Sequence, residues 1–132
     1  MSFPAPIVSA MLPFILWPIE LFLPYPYIIE EIAKAGIILL IVKSKENTLT
    51  QAILAGTLFS FTETILYMFN APLGSPGNTL VVRFFLTTPM HITTMVIVLA
   101  LVSKSRFLLP VGVVLGTIVH YLFNHYIPLV SI

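Results

Sequence analysis

Residues 80–102 read LVVRFFLTTPMHITTMVIVLALV, and Arg83 is the one formal charge among them. A helix rising about 1.5 Å per residue carries this stretch about 35 Å, past the roughly 30 Å hydrocarbon core of a bilayer. The rest of the chain repeats the pattern. Polar breaks at Lys43–Thr50, Asn70–Thr79 and Ser103–Arg106 isolate spans near 27–42, 51–69, 80–102 and 107–127. Another apolar stretch, 3–23, comes first and contains Pro4, Pro6, Pro13 and Pro18. Proline removes a backbone donor, so this stretch is predicted to form a kinked or partly broken helix. Pro24 and Pro26 then turn the chain into the second span. The expectation is an all-α fold, a polytopic bundle of about five membrane-spanning helices forming a single transmembrane domain over 1–132.

Composition excludes most alternatives. Of 132 residues, 58% are hydrophobic and 8% charged, whereas soluble domains carry about 25% charged residues. The net charge of +1 gives no basis for binding nucleic acid. Without cysteine there is no disulfide, zinc thiolate or cysteine nucleophile. No basic region precedes the first apolar stretch, which argues against a signal peptide. Lys43, Lys45, Lys104 and Arg106 fall in connections on one side, which the positive-inside rule places in the cytoplasm. The N-terminus is then cytoplasmic and the C-terminus outside. Trp17, Tyr25, Tyr27, Tyr67 and Tyr126 gather toward the outer interface, as an aromatic belt does.

The polar residues inside the spans carry the chemistry. An ionisable group at mid-membrane costs about 2.5–3.5 kcal/mol on the insertion scale. Glu30, Glu31, Lys34, Glu63, His91, His120 and Asn124 all lie within spans. Lys34 follows Glu30 by four residues and Glu31 by three, so it can reach either carboxylate. Gly56, Ser60, Glu63 and Tyr67 share one helix face, as do Thr87, Thr88, His91 and Thr94. Gly112, Gly116, His120 and Asn124 form an i, i+4 row whose small residues allow close helix approach. By helical rise, His91 lies about 12–16 Å and His120 about 10 Å from the outer side. Each group alone has a structural explanation. A Glu–Lys pair can cap a helix, a histidine can strut two helices, and hydroxyls can bond their own backbone. Convergence at one depth goes beyond these and marks one site. Glu20 and His125 have no partner at helical spacing and are read as interfacial, with Arg83 as an interfacial anchor.

Four segments resemble a known set: EEIAK (Glu30–Lys34), FSFTETILY (Phe59–Tyr67), RFFLTTPMH (Arg83–His91) and HYLFN (His120–Asn124). In this order, on successive helices, they resemble the motifs of the PrsW family of intramembrane proteases. That family shares a superfamily with CAAX prenyl endopeptidases and bacteriocin-processing enzymes. Thr64 stands where relatives commonly have Asn. The resemblance implies a glutamic-type intramembrane endopeptidase without metal or other cofactor. Glu30 or Glu31 would activate water, helped by Glu63 or His91, while His120 and Asn124 stabilise the oxyanion and Lys34 holds the second glutamate ionised. It also implies a membrane-anchored, anti-sigma-factor-like protein substrate in a prokaryotic plasma membrane. Two other readings remain at this level. One is a metal-dependent membrane hydrolase, since Glu and His are suitable ligands. The other is a non-enzymatic proton-coupled carrier or binding scaffold.

Overall fold

The computed structural model describes residues 4–70 and 77–127, and within these there are five α-helices and no strand. They are α1 (Ala5–Glu20), α2 (Pro26–Ser44), α3 (Thr48–Asn70), α4 (Gly77–Lys104) and α5 (Leu109–Tyr126), with a 3-10 turn at Arg106–Leu108 before α5. The all-α bundle expected from sequence is therefore present. Most of the polar break between the third and fourth spans (Pro72, Gly74, Ser75, Pro76) lies outside the described residues.

Two helices differ from the expected spans. Three helical stretches are long and apolar enough to cross a membrane: Thr48–Asn70, Thr79–Lys104 and Arg106–Tyr126. Helix α1 has 16 residues and stops at Glu20 instead of residue 23; at 1.5 Å per residue it reaches only about 24 Å. It runs helical through Pro13 and Pro18, so the expected break is absent. Helix α2 has 19 residues but carries Glu30, Glu31, Lys34 and Lys43.

The packing explains how α2 tolerates its charges. It touches all four other helices, while α1, α3, α4 and α5 succeed one another around it. Among the described residues α1 touches neither α4 nor α5. Helix α2 is therefore the central post, and its Glu30, Glu31 and Lys34 face protein instead of lipid, while Lys43 is exposed at its end. Its Ile37, Ile38 and Ile41 meet Ala52 and Ala55 of α3 and Met95 and Val98 of α4 in an apolar core. That core occupies the half of the bundle bearing Lys43, Lys45, Lys104 and Arg106. Small residues set the spacing. A Cβ on Gly56 would come within 2.9 Å of the Ile92 backbone, so α3 and α4 nearly touch there. The outer surface is apolar, with Phe22, Phe85, Phe107 and Val114 exposed, as lipid-facing positions of an integral membrane protein are.

Candidate active site

The interior ionisable residues collect at the end of the bundle opposite that core. Helix α2 supplies two adjacent carboxylates that end in different surroundings, because consecutive residues sit about 100° apart. Glu31 points into the bundle and is wholly buried. Its Oε1 accepts from Lys34 Nζ at 2.6 Å, one turn along the same helix, and from His120 Nδ1 of α5 at 2.9 Å. Its Oε2 has no hydrogen-bond partner. Gly116 makes room for it, since a Cβ there would stand 2.9 Å from that oxygen.

Glu30 is 7% exposed and makes no hydrogen bond; its nearest ionic neighbour is His120 Nδ1, 3.9 Å from Oε2. Glu63 of α3 is held at both oxygens. Arg83 Nη2 donates to Oε1 at 3.0 Å, and His91 Nε2 donates to Oε2 at 2.6 Å, both from α4. Two carboxylate–imidazole pairs result, Glu31–His120 and Glu63–His91, with their imidazole rings edge-to-face at 5.4 Å. Phe59 separates charges beneath them: Lys34 Nζ lies 4.8 Å from its ring centre and His91 packs at 4.9 Å. Ser60 Oγ shares a 2.7 Å hydrogen bond with Thr87 and accepts from Thr88 at 3.0 Å, tying α3 to α4 just below Glu63.

A cavity of about 280 Å³ opens beside this cluster. Glu30, Glu63, Arg83, His120 and Asn124 form its polar wall. Pro13 and Trp17 of α1, with Phe59 and Tyr67 of α3, form an apolar one. Of the sequence-predicted residues, Glu30, Glu63, His120 and Asn124 thus reach the cavity. Glu31, Lys34 and His91 stand behind them and hold the first group in place.

Two residues read as interfacial belong to this site. Arg83 is 8% exposed, binds Glu63 and stacks 4.2 Å over the Tyr67 ring. Its register carries the signal, since Arg83, Thr87 and His91 recur every four residues on one face. Glu20 lines the cavity with Trp17 and Pro13; the other walls of that cavity lie on other helices, which spacing along α1 cannot reveal. Trp17 and Tyr67 likewise line the cavity, whereas Tyr25, Tyr126 and His125 are exposed as expected.

A family model described as "PrsW family intramembrane metalloprotease" matches residues 19–132. No curated protein and no solved structure matches the chain. The metal in that description can be tested against the donor set. A divalent ion needs several lone pairs aimed at one point. Here both Glu63 oxygens are taken by Arg83 and His91, and Glu31 Oε1 is taken by Lys34 and His120. Two cations, Lys34 and Arg83, stand among the carboxylates, and no group of three candidate ligands converges among the described residues. In this arrangement the side chains do not fit a metal ion.

Proposed function

We propose, for a chain that belongs to the PrsW family of intramembrane proteases, that Glu30 activates the water that hydrolyses a peptide bond of a membrane-anchored protein. The observation that carries the assignment is the contrast between the adjacent carboxylates. Glu31 is locked by Lys34 and His120, while Glu30 borders the cavity with no hydrogen bond to give up. A general base must be in reach of water and have a lone pair to spare.

The reaction then runs on this chain's own groups. Glu30 takes a proton from water as the hydroxyl oxygen bonds to the scissile carbonyl carbon. The carbonyl oxygen becomes an oxyanion, met by the Asn124 amide N–H and by the His120 ring, which Glu31 holds at Nδ1. Oriented donors of this kind contribute about 2.7–4 kcal/mol in other hydrolases. When the C–N bond breaks, Glu30 returns its proton to the leaving amine. Glu63 is a positioning residue, fixed by Arg83 and His91, which keeps the far wall of the cavity in place. Lys34 keeps Glu31 ionised.

The family resemblance extends this to an anti-sigma-factor-like substrate in a prokaryotic plasma membrane. The basic-residue asymmetry supports a site near the outer face of a single transmembrane domain. Co-expression with candidate single-pass proteins tests the reading. Wild type should release a cleaved fragment and Glu30→Gln should not. Equal cleavage by both would remove Glu30 from the mechanism.

A further inference from the structure

The cavity holds one carboxylate more than hydrolysis uses. Glu20 ends α1, faces the cavity on the same helix side as Trp17, and makes no hydrogen bond or ion pair among the described residues. Three carboxyl groups, Glu20, Glu30 and Glu63, line the cavity against one guanidinium, that of Arg83, which donates to Glu63. A second observation points the same way. Glu30 is more than nine-tenths buried on this cavity, and its Oε2 has no hydrogen-bond donor. A buried carboxylate oxygen without a hydrogen-bond donor is costly, and attraction to a cation strengthens as the surroundings lose water.

We propose that Glu20, with the aromatic face of Trp17, forms a subsite for a basic side chain, lysine or arginine, of the substrate. The inference rests on the peptidase reading for its substrate but not for its physics. An aromatic wall attracts cations through the ring quadrupole, and a site walled by both a ring and carboxylates selects cation over apolar isostere. The volume of about 280 Å³ suits one long side chain, being at the lower limit of ordinary ligand pockets. Selected substrates would therefore be single-pass segments with a basic residue close to the scissile bond.

The test uses two synthetic single-span peptides, identical except for lysine or norleucine at one interfacial position. Affinity for the full-length protein in detergent is measured apart from cleavage. Wild type should bind the lysine peptide about ten- to a hundredfold more tightly, the range for one charge-assisted contact. Glu20→Gln should lose most of that preference, through KM more than kcat, and Glu20→Lys should favour a glutamate peptide instead. His125→Ala, outside the cavity, should behave as wild type. Equal binding of both peptides by wild type overturns the proposal, as does a preference that survives Glu20→Gln. Discrimination without cleavage of either peptide would leave the cation subsite standing and remove the peptidase reading. Cleavage of both with equal affinity would do the reverse.

Discussion

Glu30 and Glu31 are neighbours in sequence, yet their substitution should fail in different ways. Glu30→Gln keeps the side chain's shape and breaks no hydrogen bond. It should fold normally and lose about 10²–10⁴-fold in turnover, the usual contribution of a general base. Glu31→Gln leaves Lys34 buried without its counter-charge. Breaking a buried pair by removing one partner costs about 3–5 kcal/mol, so this variant should show lowered stability in detergent before any effect on chemistry is read. A cleavage assay paired with thermal unfolding separates the two outcomes, and an inactive but fully stable Glu31→Gln would mean that the roles are reversed. At the same scale, chelators should leave cleavage unchanged, because no three candidate donors converge on one point among the described residues and Lys34 and Arg83 stand among the carboxylates. Activity lost to EDTA and restored by zinc would overturn that expectation. How much of the site is legible in sequence follows from where the partners lie. Lys34 is within one turn of Glu31, and spacing alone brings them together. Arg83 is 20 residues from Glu63, on another helix, so only the packing of α3 on α4 unites them.

At the level of elements, apolar runs and polar breaks locate the five helices, because in lipid each backbone group must be satisfied within its own helix. Their ends follow local chemistry that hydropathy does not record. Helix α1 stops at Glu20 although Leu21, Phe22 and Leu23 are apolar, and Pro24 stands close beyond, where the residue before a proline disfavours helix. Hydropathy also gives no hint that α2 is the central helix; its charges become tolerable only when four neighbours surround it. The turn from α2 to α3 carries a testable cost. Lys45 adopts φ 59°, in the left-handed region, where a Cβ is disfavoured by about 1–2 kcal/mol. Glycine removes that strain but also loosens the unfolded chain. Lys45→Gly should therefore raise stability by about 0.5–1 kcal/mol, seen as a higher unfolding midpoint in detergent. No gain would indicate that Lys45 makes a compensating contact at the interface.

On the scale of the whole molecule, the layering runs from an apolar core at one end to a charged cavity at the other, and the two ends face different solvents. Lys43, Lys45, Lys104 and Arg106 all lie at the core end. The cavity end gathers the termini of α1, α3 and α5 and the beginnings of α2 and α4. Cytoplasmic loops retain lysine and arginine because translocating them opposes the membrane potential and the insertion machinery's bias. The core end should therefore face the cytoplasm, with the cavity opening toward the outer face, where a cleaved ectodomain would be released. Single cysteines at Ser75 and Ser105 test this in a chain that has no cysteine of its own. An impermeant thiol reagent applied to intact cells should label Ser75→Cys directly and Ser105→Cys only after permeabilisation. The opposite pattern would turn the cavity inward, and substrate would then be cut on the cytoplasmic side. Labelling of Ser75→Cys should also persist in Glu30→Gln, because topology is set by the basic residues and not by the site. A change in that variant would mean that the buried carboxylates themselves help to orient the chain.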